Sequence, residues 1–263
     1  MLKSFYMDIL RKELNDIYQS QNLNNEILNH KEINRCRNIA ENLIHITNGC
    51  AVITDASCDH CYIFFGSICS ILGISQHYPI EKNIASSDED MIYNLIHPED
   101  LVEKRMLEYE FFKFINPFTG SEKIHYQSTC RIRIKSALKD YIFVDNTTQI
   151  ICPTPNGKIW LILCTYSLSS DTRWYGTINP SIKNNHSGEI MTLSLNERRR
   201  QILTHREKEI LLLMKQGKAS KQIADILDIS INTVNRHRQN ILEKLSVANS
   251  IEAITAVESM NLW

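Results

Sequence analysis

The sequence predicts an α+β protein in two parts: an N-terminal domain built on an antiparallel sheet, and a C-terminal all-α domain of four helices. Three observations predict it. Residues 124–169 hold three runs rich in β-branched and aromatic side chains, and Asn156-Gly157 between the last two suits the positive φ angles of a tight hairpin. Residues 202–263 read helix, turn, helix, turn, helix, helix, with a cap or a terminator at the junctions. Between the two parts, Asn179-Pro180-Ser181 and Asn184-Asn185-His186-Ser187-Gly188 make 171–201 turn-rich, as a connector should be.

Over 1–18 the apolar residues Leu2, Phe5, Tyr6, Ile9, Leu10, Leu14, Ile17 and Tyr18 fall at steps of three and four, the period of an amphipathic helix. Such a stripe either packs on the domain behind it or pairs with a second copy. A further helix over 31–46 completes an N-terminal helical segment, 1–48. Ala51-Val52-Ile53-Thr54 and Tyr62-Ile63-Phe64-Phe65 then read as strands, and 68–72 and 91–96 as short helical pieces. His97-Pro98-Glu99-Asp100 opens a longer helix to about Ile115. Proline is tolerated in a first turn because its missing N–H is not needed there, and two acids face the positive end of the helix dipole. Strands over 124–134, 141–152 and 158–169 complete a domain of 49–170. One more strand is expected over 189–195, inside the connector.

That order of two strands, several helices and three strands, with His97-Pro98-Glu99-Asp100 ahead of the longer helix, resembles a PAS sensor domain. The resemblance implies small-molecule sensing or dimerisation and does not name a ligand.

Composition excludes several classes. The chain has 263 residues, 43% hydrophobic and 22% charged, the balance of a soluble globular protein. Its start lacks the apolar stretch and cleavage site of a secretory signal, and the longest apolar run, 61–74, is too short for a bilayer. A cytoplasmic protein without a membrane partner is expected. None of the 8 glycines forms a phosphate-cradling loop, and no Ser/His/Asp or paired-carboxylate set stands out, so no enzyme, catalytic residue or cofactor is expected. In a reducing compartment the 8 cysteines act mainly as small hydrophobes. Cys58-Asp59-His60-Cys61 has half the spacing of a zinc site, but no second pair supplies the other ligands, so no metal is expected. A thiol or metal sensor using Cys58 and Cys61 is one alternative function.

In the C-terminal segment, Thr204 and Glu207 form a capping box, in which the Thr hydroxyl and the Glu carboxylate each satisfy a helix-start N–H. The helix they open passes Ile210, Leu213 and Met214 and stops at Gly217. Ser220 or Ala219 starts a short helix over 221–227, Asp228-Ile229-Ser230 is a tight turn, and Ser230 caps a third helix over 231–245. A fourth runs from Ser250 to about Met260. A short helix, a tight turn and a longer helix is the plan whose second helix enters a DNA major groove. On a helical wheel Val234, Ile241, Leu245, Ile231 and Leu242 share one arc, the core face. Opposite lie Asn235, Gln239, Asn232 and Arg236. A merely solvated face would more usually carry mixed Glu and Lys, whereas Asn, Gln and Arg make paired hydrogen bonds to purine edges. Glu243 interrupts that face near the helix end. An apolar or acidic face would instead have favoured a protein-docking module, the other alternative function.

Leu203-Thr204-His205-Arg206-Glu207, Gly217, Lys221-Gln222-Ile223-Ala224, Ile229-Ser230, Thr233-Val234, His237, Ile241 and Lys244-Leu245 closely resemble the LuxR-type (GerE-like) helix-turn-helix domain, over about 60 residues. The resemblance implies a sequence-specific transcriptional regulator. Asn235, Arg236 and Gln239 match its base-reading positions, while Lys221, Thr233, Arg238 and Lys244 match positions near phosphates. Its fourth helix is the usual dimer contact. Double-stranded DNA and a second copy are therefore the expected partners, with RNA polymerase a further candidate. Two departures are visible: Ala219 replaces the usual Ser, which moves the expected cap to Ser220, and Asn235 replaces a frequent Lys. Charge agrees with the division. From Glu197 on there are 11 Lys and Arg against 8 Asp and Glu, and 18 against 22 before it, so the overall −1 averages a mildly basic part with an acidic one.

Overall fold

A computed structural model describes residues 13–58, 60–74, 81–84, 90–195, 203–245, 247 and 249–259. The helix expected over 1–18 lies outside these up to residue 12; residues 13–20 are helical. The chain divides into two compact units, one of Leu14–Leu193 and one that takes the chain from Ser194 onward. No helix among the described residues is long and apolar enough to cross a membrane.

The N-terminal unit is an eight-stranded antiparallel sheet: β1 (Cys50–Asp55), β2 (His60–Phe65), β3 (Glu81–Ile84), β4 (Tyr126–Lys135), β5 (Tyr141–Pro153), β6 (Ile159–Leu168), β7 (Ser181–Asn184) and β8 (Ile190–Thr192). The spatial order is β3-β2-β1-β6-β5-β4-β7-β8, so the two halves of the chain meet where β1 pairs with β6. The Asn156-Gly157 turn joins β5 to β6 with Gly157 at φ 79°, as the dipeptide predicts. Helices α1 (His30–Thr47), α2 (Ile68–Ile71), α3 (Asp90–Tyr93), α4 (Pro98–Ile115) and α5 (Gly120–Lys123) accompany the sheet. Strands β3 and β7 were not expected. Glu81-Lys82-Asn83 and Ser181-Ile182-Lys183-Asn184 lack an apolar alternation; they join the sheet through backbone pairing with β2 and β4. The expected connector, 171–201, thus holds two strands of the sheet.

All six residues of β1 are buried, because both faces of the sheet are covered. On one face α1 lays down Ile33, Cys36, Ala40 and Ile44, at steps of three and four, against Ala51, Ile53, Phe64, Leu161 and Leu163. Asn29 caps α1 by accepting from the Lys31 N–H, and Asn48 in the left-handed region ends it. In a second cluster Leu14 from 13–20 and Phe111, Phe112 and Ile115 from α4 pack with Ile150, Ile159, Ile162 and Ile182.

Helix α4 is buried on twelve of its eighteen residues, and these include Asp100, Glu103, Lys104, Arg105 and Glu108. Each charge has a partner, as burial demands. Asp100 accepts from the Arg133 N–H at 2.7 Å and its side chain, and Glu103 accepts from the Ile178 N–H at 2.8 Å. Glu108 accepts from Tyr93 Oη at 2.7 Å and Arg105 Nη1 at 3.2 Å and pairs with Lys104. Burial pushes the Glu108 carboxyl up, but Lys104 and Arg105 outweigh it and hold it below the usual carboxylate range. Burial also pushes the Cys130 thiol up to about 12.

The C-terminal unit contains α6 (His205–Lys215), α7 (Ser220–Leu227), α8 (Ile231–Leu245) and α9 (Ser250–Ser259). The capping box of α6 forms as expected, with Thr204 N donating to Glu207 Oε2 at 2.7 Å and Glu207 N to Thr204 Oγ1 at 3.3 Å. Gly217, at φ 77°, follows its end. Leu203, Ile210, Leu211, Met214, Ile223, Ala224, Val234, Ile241, Leu245, Ala253 and Val257 bury the core of this unit.

Candidate nucleic-acid interface

The interface is assembled by three residues of turn. Asp228 adopts the left-handed conformation at φ 51°, and its N–H reaches Ala224 O; Ile229 N also donates to Ala224 O, at 3.1 Å. Ser230 Oγ accepts from Thr233 N at 3.0 Å and so caps α8, as expected. Arg206 of α6 donates to Leu227 O at 2.9 Å and holds the turn from behind. These bonds set α7 and α8 as the two arms of a helix-turn-helix.

Val234, Ile241 and Leu245 are fully buried, which fixes the rotation of α8. The wheel is right about these three and too generous at its edges: Leu242 is half-buried and Ile231 is 44% exposed. Ile231 is the first residue of α8, where the helix has only just left the turn. With the seam buried, Asn232, Asn235, Arg236 and Gln239 are all exposed, and their spacing places them on one outward face. Gln239 Nε2 donates to Glu243 Oε1 at 2.9 Å, so Glu243 shares that face rather than leaving it. Thr233 is exposed beside the cap, with its Oγ1 2.8 Å from Ser230 Oγ, and Lys221 is exposed in the first turn of α7.

Two cations expected near phosphates have protein partners. Lys244 Nζ lies 2.7 Å from Glu207 Oε2 and remains partly exposed. Burial pushes the Glu207 carboxyl up, but the Lys244 ammonium and Thr204 outweigh it and keep it ionised below the usual range. Arg238 donates from Nη1 to Ser220 Oγ at 3.1 Å and from Nη2 to Ser250 Oγ at 3.0 Å. The expected cap at Ser220 is corrected by the same geometry. The N-cap position is Ala219, whose N–H donates to Gln222 Oε1 at 2.9 Å, while the Ser220 hydroxyl turns to Arg238. Sequence reasoning missed Ser220 and Ser250 as partners of Arg238; serines opening the helices on either side of an inward-leaning arginine are the signal for them. His237 packs at the edge of the core, and its Nδ1 finds no partner among the described residues.

Cys58 is exposed whereas Cys61 is fully buried in β2, where its Sγ lies 3.5 Å from Thr54 Oγ1. Neither belongs to a group able to hold a metal among the described residues; the group found, His97, Glu99 and Asp100, has Arg133 bonded to both carboxylates.

Residues 201–257 match the family described as "Bacterial regulatory proteins, luxR family". The uncharacterized response regulatory protein YgeK of Escherichia coli K12 is 47% identical over 60 residues, 23% of this chain and 41% of YgeK. The transcriptional regulatory protein DesR of Bacillus subtilis is 55% identical over 53 residues, 20% of this chain and 27% of DesR. The transcriptional activator CarR of Pectobacterium carotovorum is 42% identical over 65 residues, 25% of this chain and 27% of CarR. The chain therefore spans less than half the length of each of these relatives. Among solved structures, the VqmA dimer of Vibrio cholerae in the absence of target DNA aligns with 89% of this chain and 89% of its own at 17% identity and a TM-score of 0.30. The buried seam of α8, its exposed amide and guanidinium face and the family match agree: the C-terminal unit is a DNA-binding domain of the luxR family of bacterial regulatory proteins.

Proposed function

We propose that the chain is a sequence-specific transcriptional regulator, not an enzyme, that binds double-stranded DNA as a homodimer under the control of a PAS-like sensory unit. The observation that carries it is the outward face of α8. Asn232, Asn235, Arg236 and Gln239 project opposite a seam that fixes their direction, and amide and guanidinium groups are those that read base edges in the major groove. In this reading these four contact bases. Lys221 from α7, Thr233 from the cap and Lys244 beside Glu207 contact the phosphate backbone and set the register. Helix α9 carries Ile251, 77% exposed, and supplies the contact between copies. Half-sites then lie about one helical turn apart. RNA polymerase is the natural further partner of such a regulator.

The N-terminal unit supports the sensory reading through its element order: β1 and β2, then helices, then α4, then β4, β5 and β6. A small molecule is its proposed input. Selection from random DNA with the full-length protein tests the core of the proposal. An enriched, two-fold-related sequence is expected, bound by a dimer in sedimentation; enrichment of nothing would remove it.

A further inference from the structure

Arg238 joins three helices. Its Nη1 donates to Ser220 Oγ at 3.1 Å and its Nη2 to Ser250 Oγ at 3.0 Å. Ser220 is the first residue of α7 and Ser250 the first of α9, while Arg238 lies in the middle of α8. Neither hydroxyl is occupied in capping. The N–H at the start of α7 is satisfied by Gln222, and α9 is capped by Asn249, whose Oδ1 accepts from Glu252 N at 3.0 Å. Helix starts carry partial positive charge and disfavour a cation, so the dipoles do not draw the guanidinium here; the two hydroxyls do. A guanidinium is a rigid planar fork, so filling both of its ends fixes the separation of the two acceptors, which a single flexible ammonium cannot do.

We propose that Arg238 is a positioning residue, a strut that locks the reading helix α8 to both α7 and α9, and not a ligand of the DNA backbone. The inference rests on the DNA-binding reading and adds a consequence to it. If α9 joins the two copies, the strut transmits the geometry of the dimer to the reading helices, and so sets how strictly the half-sites must be spaced.

The test uses the full-length protein and the DNA sequence it selects, with three variants: Arg238→Ala, Arg238→Lys, and the double variant Ser220→Ala/Ser250→Ala. Affinity is measured by fluorescence anisotropy over a salt series and over half-site spacings changed by one or two base pairs. All three variants are expected to bind the best site about tenfold to a hundredfold more weakly, because α8 is no longer held to α7 and α9 and part of the strut's stabilisation is lost from the binding geometry. The salt dependence is expected to stay that of the parent, and discrimination against altered spacings to shrink. The serine double variant keeps the charge at 238, so it carries the test even where Arg238→Ala unfolds, which circular dichroism reports. The proposal is overturned if Arg238→Ala reduces the salt slope by about one unit, as a lost phosphate contact would. It is equally overturned if the serine double variant binds and discriminates spacing like the parent. Failure of the parent to select any DNA marks instead the failure of the DNA-binding reading, and the strut's role in recognition falls with it.

Discussion

Replacing Glu108 by Gln tests the buried charge cluster of the N-terminal unit. The carboxylate is shared by two cations, Lys104, fully buried, and Arg105, 2% exposed, and also accepts from Tyr93 Oη. A carboxamide keeps the shape, removes the negative charge and replaces an acceptor with a donor that faces other donors. Removing one member of a buried ion pair typically costs about 3–5 kcal/mol. Lys104 and Arg105 both retain the Tyr93 ring, at 4.6 and 4.0 Å, so the lower end, about 3 kcal/mol, is expected. The assay is urea unfolding followed by the fluorescence of Trp160, which is 2% exposed and donates to Asp55 Oδ1 at 3.1 Å, with Trp174 and Trp263 changed to Phe. The pH dependence has a definite sign. The folded carboxyl is held below its unfolded value, so its contribution is complete above the unfolded value of about 4.3 and is lost as pH falls through the lower folded one. Gln does not titrate. The stability gap between parent and variant is therefore wide at pH 7 and closes toward acid. A gap under about 1 kcal/mol at pH 7, or one that does not narrow below about pH 4, would refute the reasoning.

Gly66→Ala should destabilise the same unit by about 3 kcal/mol or more in the Trp160 assay, because the new Cβ would lie 2.0 Å from Gly49 O and 2.8 Å from Asn48 C, backbone atoms that cannot step aside. Arg236→Ala should weaken the selected site by about 1–3 kcal/mol and relax preference at one base pair, read by anisotropy over single-base variants; unchanged affinity would contradict a base contact. Lys221→Ala should weaken all sequences alike and lower the salt slope by about one unit, and an unchanged slope would place Lys221 away from the backbone.

What was legible in the sequence is what local chemistry decides. The Thr204–Glu207 box, the Ser230 cap, the Asn156-Gly157 turn and the proline at the head of α4 each work within a few residues, so their signals survive without knowledge of the fold. The seam of α8 was legible because period 3.6 repeats through Val234, Ile241 and Leu245. Strands β3 and β7 were not, since a short strand held by backbone pairing, β3 to β2 at the sheet edge and β7 between β4 and β8, needs no apolar alternation. Nor were the buried charges of α4: Asp100 is satisfied by Arg133 and Glu103 by Ile178, partners that only the folded sheet brings near. The same limit applies at the interface. Direction along α8 was readable, but the engagement of Arg238 depends on Ser220 and Ser250, which lie on two other helices.

The structure also changes what the charge balance implies. The basic surplus after residue 197 is small to begin with, 11 cations against 8 acids, and much of it is bound within the unit. Lys244 pairs with Glu207, Arg206 with Glu209, and Lys215 with Glu258 at 2.7 Å, while Arg238 is held by two hydroxyls. An ammonium or guanidinium so held gains less from a phosphate, because it must give up or share an existing bond to approach one. Lys221 and Arg236 are exposed and carry no such bond among the described residues, and Arg236 stands on the outward face of α8. Attraction to the backbone is proportional to the phosphates neutralised, so the described residues of one copy offer few unheld cations to a phosphate. Under the proposed function, selectivity then rests on the short row Asn232, Asn235, Arg236 and Gln239, and affinity on presenting that row twice. In that reading the weight of recognition falls on how rigidly α8 is held relative to α9, the quantity the Arg238 strut would control.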